Sequence, residues 1–270
     1  MAPKAAIIHR GPSRSVFGDH AAYMSRVTGL PVVESDEGLD FAYLLAWDKA
    51  TAPACPTFVP YKAILLAHDK RSQATVFGAA GVPVPETHLV DTADAVRAFP
   101  ARHPEQRWVL KWPLGCGAMG HQLIGPETAI TQLWMPPFLV QELVELETPV
   151  VYRLFGVAGE TFGWSVRKFG PEAPRSPWVA VARGAHFERG GEAPAEAVAQ
   201  GRRALAATGL LDSFGCADLL QRPEGEWVVL EVNTDGIGEF SLREFGIPEI
   251  TNELNARMGS AVQAAVNRIG

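Results

Sequence analysis

The sequence predicts an α/β protein assembled as α+β lobes. Three observations carry this. Short apolar runs such as AAIIH (5–9) and FAYLLAW (41–47) alternate with helical stretches. A surplus of 26 Gly and 21 Pro in 270 residues punctuates many short elements. Between 149 and 169 the pattern becomes strand, turn, strand, with no helix between.

The length corresponds to about two domains or one large one. Hydrophobic residues at 47% and charged residues at 20% exclude a disordered chain. A net charge of −6 argues against nucleic-acid binding through bulk positive charge. No apolar run reaches the roughly 18 residues of a membrane span. The apolar stretch within MAPKAAIIHRGPSRS is too short for a signal peptide. Cys55, Cys116 and Cys216 are too few and scattered for a disulfide framework. The expectation is a cytoplasmic protein with reduced thiols.

In chain order, 5–9 is a buried strand, 19–29 a helix ending at Gly29, and 31–34 and 41–47 further strands. A proline-rich connection covers 50–60. Asp69 caps a helix over 69–80 that stops at Gly81. A short helix over 91–99, capped by Asp91 or Thr92, precedes strands at 107–112 and 121–124. A helix is expected over 126–134, with Pro126 in its first turn. Strands follow at 137–145 and within 149–169, then a mobile loop rich in Pro, Gly and Arg over 171–194. Residues 195–208 and about 249–268 are helices flanking a hairpin, SFGCADLLQ and EWVVLEVN, around RPEGE.

That hairpin carries the strongest chemistry. Alternation puts Val228, Leu230 and Val232 on one face, and Glu231, Asn233 and Val229 on the other. With Glu224-Gly225 as a two-residue loop, Asp218 lies opposite Glu231 and Cys216 opposite Asn233. Opposed carboxylates about 5 Å apart repel unless a cation lies between them or one is protonated. Two carboxylates and an amide suit Mg²⁺. A solvated acidic face is the plainer reading of Glu231-Val232-Asn233 alone; Asp218 in register, with apolar flanks, favours the metal.

Lys111 sits within an apolar strand, where a lysine needs a partner or a ligand. The loop after it, PLGCGAMG, places Gly115, Gly117 and Gly120 where backbone N–H groups can turn to an anion. It fits neither the Walker pattern nor the dinucleotide fingerprint, and alone a tight hairpin explains it equally well. Lys70 by itself reads as a surface lysine in a first helical turn. Arg153, Arg167 and Lys168 lie on successive strands and either face one anion or face solvent. Cys116 lacks a nearby His or Asp to make it a nucleophile, and the seven His residues show no ligand spacing.

The order of these features resembles the ATP-grasp superfamily: DK before a helix and GVPVP, VLKW with a glycine loop, LVQELVE, an arginine strand, then D…ExN. The resemblance covers roughly residues 60–240 and is nearest to carboxylate–amine ligases such as glutathione synthetase and the ribosomal-protein glutamate ligases. It implies an ATP site between two lobes, with Lys70 and Lys111 on the phosphates under a loop of Gly115, Cys116, Gly117 and Ala118. Gln141, Glu142, Leu143 and Val144 match the adenine-reading hinge, and Glu145 or Glu147 the ribose ligand. Arg153 and Arg167, with Lys111, match catalytic cations at the γ-phosphate and acyl phosphate. Asp218, Glu231 and Asn233 match ligands for two Mg²⁺ ions, replaceable by Mn²⁺, and Thr234–Glu239 matches a substrate-docking loop.

The implied division is a reduced N-terminal α/β segment (1–68), a central lobe (69–136) and a C-terminal lobe (137–270). The implied reaction is ADP-forming amide synthesis through an acyl phosphate. A kinase acting on a hydroxyl, or a non-catalytic nucleotide-binding protein, could use the same site. Asp218→Asn or Glu231→Gln should abolish ADP release with the fold intact. The N-terminal segment is shorter than usual for the family, which fits either an extended peptide substrate or a homo-oligomer; residues 171–178 match no family pattern.

Overall fold

In the computed structural model, which describes residues 3–10, 17–115, 117–172, 176–234 and 246–270, the apolar runs form three separate sheets. β1 (Ala5–His9) lies parallel between β2 (Val32–Val33) and β3 (Phe41–Ala46). Both β1 and β3 are buried along their whole length, as continuous apolar runs in a parallel sheet require. Helix α1 (Gly18–Thr28) ends where Gly29 turns left-handed at φ 70°.

The apolar segment before Lys70 is itself a helix, α2 (Tyr61–His68). Asp69 breaks it with an extended backbone and caps α3 (Lys70–Ala80) by accepting from Arg71 N–H. The four-stranded sheet that follows runs β4 (Thr87–Val90), β7 (Phe138–Glu142), β5 (Trp108–Lys111), β6 (Gln122–Leu123). The helix expected over 91–99 divides into α4 (Ala93–Arg97), capped by Thr92, and a second turn, α5 (Phe99–Arg102). Because β7 pairs with β4 and β5, a boundary at 136/137 would part a strand from its own sheet.

The helix expected over 126–134 does not form; the segment is turns. Its carbonyls go elsewhere: Thr128 C=O accepts from Arg97 and Ala129 C=O from Gln122. The Thr128 hydroxyl instead accepts from Gly125 N–H, a local bond that competes with helix.

The third sheet runs β10 (Ala185–Arg189), β9 (Glu160–Phe169), β8 (Val150–Val157), β11 (Phe214–Gln221), β12 (Trp227–Asn233). β8 and β9 join through Ala158-Gly159, both at positive φ, the geometry of a primed hairpin turn. Part of the expected mobile loop 171–194 is thus a paired strand: Phe187 lies opposite Arg167, and a 3₁₀ turn (Val181–Arg183) leads into β10. The alternating buried positions Ala185 and Phe187 carry the strand's only local signal. Helix α6 (Ala195–Ala207) packs on β11 and β12. Helix α7 (Pro248–Asn267) packs on α1, where Gly259 allows a close approach to Val27.

The β11–β12 hairpin reaches the predicted pairing by a different route. Its loop is the three residues Pro223-Glu224-Gly225, closed by Arg222 N–H to Glu226 C=O at 2.8 Å. Near the loop Gln221 faces Trp227, and a bulge beyond Leu219–Val229 restores Asp218 opposite Glu231 and Cys216 opposite Asn233. The two departures cancel at the site. They also correct the faces: Val229 joins Val232 in the main core, and Leu230 faces the cavity with Glu231. Among the described residues no helix is long and apolar enough to cross a membrane.

Candidate active site

The four- and five-stranded sheets enclose a cavity of about 560 Å³. One end gathers charge. Asp218, Arg153 and Ser165 stand in one row across β11, β8 and β9, with Glu231 on β12 extending it. The fully buried Asp218 carboxylate accepts from Arg153 Nε at 2.7 Å, Arg153 Nη2 at 3.0 Å and Arg167 Nη2 at 3.2 Å. Burial disfavours the charged Arg153 guanidinium, but Asp218 outweighs it and raises the pKa. Phe187 on β10 underlies both guanidinium groups, at 5.2 Å from Arg153 and 5.3 Å from Arg167. Arg167 Nε is buried and finds no acceptor among the described residues.

The opposite wall carries Lys70 and Lys111. Lys70 Nζ lies 3.0 Å from Glu231 Oε2 and donates to Gly115 C=O at 2.5 Å. Lys111 ends β5 and donates to Gln141 Oε1. Burial brings its pKa down to about 8, with Glu231 opposing and Lys70 adding to the fall. Burial would raise the Glu231 carboxyl, but Lys70 and Lys111 reverse this and hold it well below the usual range.

Asn233 Nδ2 donates to Glu231 Oε1 at 3.2 Å, so the amide orientation leaves its oxygen as a further acceptor. Asp218, Glu231 and Asn233 therefore form an all-oxygen set lining one end of the cavity, the donor type Mg²⁺ takes. Three N–H bonds leave Asp218 about one of its roughly four lone-pair positions. Among the described residues no three His, Cys, Asp or Glu side chains converge on a metal-sized space, so the set depends on Asn233.

The other end is apolar and backbone-rich. Val109, Val151, Leu220 and Leu230 line it, with Gln141, Glu142, Leu143 and Val144 along one edge. Glu142 N–H donates to Glu86 C=O and Leu143 N–H to Arg107 C=O, both at 2.8 Å. Val144 N–H has no backbone acceptor among the described residues. The Glu142 carboxylate accepts from Arg222, at 2.6 Å for Oε2, which lowers its pKa and ties the two sheets together. Glu145 lines the mouth and pairs with Arg107 at 3.0 Å, whereas Glu147 does not line the cavity.

Gly115, Gly117 and Ala118 also line the cavity. Gly117 and Ala118 both have positive φ, at 59° and 57°, a conformation costly for alanine. Cys116 and most of the expected docking loop, residues 235–239, lie outside the described residues.

No protein-family model and no curated protein matches the sequence. Solved structures do match. The chain superposes on D-cycloserine synthetase DcsG with a TM-score of 0.67 at 18% identity, over 97% of this chain and 99% of that one. D-alanine–D-alanine ligase from Bacillus anthracis gives 0.67 at 12%, over 100% and 98%. The ATP-grasp ligase PsnB, with a minimal precursor, gives 0.66 at 16%, over 96% and 99%.

The chain has the ATP-grasp fold.

Within that fold, several residues in or behind the cavity carry no local sequence signal. Trp178 meets the edge of His121 at 5.7 Å. Burial, then Lys111, pushes His121 down to about 3, so it lines the cavity uncharged. Arg183 Nη2 reaches Ala118 C=O at 3.4 Å, joining the 177–183 strap to the glycine loop. Thr87, Phe187 and Arg222 hold Gln141, the arginine pair and Glu142 respectively. Each acts through a contact made only once the chain is folded, which no local motif announces.

Proposed function

We propose that the protein is an ATP-dependent carboxylate–amine ligase. The observation that carries this is the charged end of the cavity: two lysines and two arginines face Asp218, Glu231 and Asn233, while the other end is apolar with a backbone edge. Such an end suits a triphosphate and its metal; the apolar end suits a purine.

In this reading Lys70 and Lys111 hold phosphate oxygens beneath Gly115, Gly117 and Ala118. Val144 N–H and the Glu142 carbonyl read the base beside Gln141, and Glu145 takes the ribose hydroxyls. Asp218, Glu231 and Asn233 hold Mg²⁺, which neutralises phosphate charge when bound. Arg167 Nε, buried without an acceptor among the described residues, supplies a hydrogen bond to an oxygen of the transferred phosphoryl or the substrate carboxylate.

A substrate carboxylate oxygen attacks the γ-phosphorus and the bond to the β-phosphate oxygen breaks, releasing ADP. The amine nitrogen then attacks the acyl carbon, phosphate leaves with the C–O bonding pair, and the amine proton passes to solvent. The protein supplies alignment and fixed charge, so no His or Ser triad is needed. The parts are read as an N-terminal segment, a central lobe running through β7, and a C-terminal lobe. The substrates are a small-molecule or peptide carboxylate and an amine, and the location is the cytoplasm.

The test is a screen of amino acids and small carboxylates for ADP release with Mg-ATP, with hydroxylamine as the amine. A trapped acyl phosphate gives a hydroxamate. ADP release with a stable phosphoester and no hydroxamate would make the protein a kinase instead.

A further inference from the structure

β12 is the outer strand of the five-stranded sheet, so among the described residues one edge of it has no strand partner. An unpaired buried edge leaves backbone groups unsatisfied, each costing a lost hydrogen bond. In this protein two elements of the other wall cover that edge. Val229 N–H donates to Pro83 C=O at 2.8 Å. At Val232, between Glu231 and Asn233, a side chain takes the place of a strand.

That side chain is Gln73 of α3, which is only 3% exposed. Its Oε1 accepts from Val232 N–H at 2.8 Å, and its Nε2 donates to Val232 C=O at 3.0 Å and to Ala67 C=O at 2.7 Å. The three bonds agree on a single amide orientation, because a flipped amide would set NH₂ against the Val232 N–H. Gln73 stands one turn after Lys70, whose backbone N–H donates to Pro113 C=O at 3.0 Å at the root of the glycine loop. One short helix thus fixes the distance between the loop, Lys70 and the strand that carries Glu231 and Asn233.

We infer that Gln73 is a positioning residue: by gripping the Val232 backbone it sets the Glu231 and Asn233 oxygens relative to Lys70. The inference rests on the reading of this cavity as a Mg-nucleotide site. Glu231 and Asn233 point the same way because Val232 between them points into the core. A residue that pins Val232 on both backbone atoms fixes both neighbours at once.

The experiment is calorimetric titration of ADP into the full chain, with excess Mg²⁺ and with EDTA, giving the factor by which Mg²⁺ tightens ADP. Gln73→Met keeps the length of the side chain and removes all three bonds. The expected result is a fall in that factor of about tenfold or more, the usual effect of losing a partner that orients metal ligands, with ADP affinity in EDTA near that of the wild type. Gln73→Glu keeps the acceptor for Val232 N–H and should fall between the two; it carries the test if Gln73→Met does not fold. Met24→Ala, a cavity beneath α1, which packs on β1, β2 and α7, is the destabilised control and should keep the wild-type factor. A Gln73→Met protein with a lowered melting temperature and an unchanged factor would overturn the inference, as would an equal loss in Met24→Ala. Wild-type protein that binds no ADP would overturn the nucleotide reading, and this inference with it.

Discussion

The two walls of the cavity hold their charges by opposite means. On the five-stranded sheet, Arg153, Arg167 and Asp218 are locked by side-chain bonds at the centre of a sheet and floored by Phe187. On the other wall, Lys70 and Lys111 are long flexible side chains whose partners include a loop carbonyl and a side-chain amide. Glu231 bridges the walls and is 23% exposed, against 0% for Asp218. The arginine wall is therefore built into the sheet, and the lysine wall is held through its side-chain tips.

That contrast changes the expectation for Asp218. Its removal strands two arginines in the sheet, so Asp218→Asn should cost about 3–5 kcal/mol of stability as well as activity. Glu231→Gln should abolish ADP release at a smaller stability cost, because Lys70 keeps the Gly115 carbonyl and Lys111 keeps Gln141. Urea denaturation of both variants beside an ADP-release assay checks this, and equal stability losses would erase the distinction between the walls.

The next effect tests whether the N-terminal layer is as rigid as the arginine wall. His20 is buried between Tyr43 and Asn255, with both ring nitrogens at 3.1 Å from their partners. Burial pushes its pKa down to about 4, and the bond to Asn255 only partly offsets this. An unfolded His titrates at about 6.5. The unfolded chain therefore takes up a proton first, and the contribution is complete above pH 6.5 and lost as the pH falls towards 4. The full loss is about 3 kcal/mol. Denaturation midpoints at pH 7 and pH 5 should differ less in His20→Gln than in the wild type.

The smallest effect concerns the floor. Phe187→Leu keeps an apolar residue and removes the ring beneath both guanidiniums, at a cost of about 1–2 kcal/mol. Phe187→Tyr should keep most of the stability. Equal losses in the two would show that packing alone, and not the ring face, matters there.

The legibility of the sequence divides along similar lines. Wherever a local rule decides, the residues announce the structure: Asp69 and Gly81 bound α3, and the Ala158-Gly159 turn sits where β8 gives way to β9. The pairing of Asp218 with Glu231 was legible only because a longer loop and a bulge compensate. The failures are long-range. Thr128 and Ala129 lose their helix to acceptor duties for Arg97 and Gln122. β10 hides in a composition that resembles a loop, because its neighbour β9 supplies the pairing. Lys70, bland by itself, gains its meaning from Glu231, 161 residues later. Composition and spacing carry no information on such meetings until the sheets are assembled.

The central claim is that both walls close on one Mg-nucleotide. The most direct measurement is the melting temperature of the wild type and of Lys111→Ala, with and without saturating Mg²⁺ and a non-hydrolysable ATP analogue. At about 100 times Kd a ligand adds about 2.7 kcal/mol. The account predicts a rise of several degrees in the wild type that largely disappears in Lys111→Ala. No rise in the wild type, or the same rise in both proteins, would contradict it.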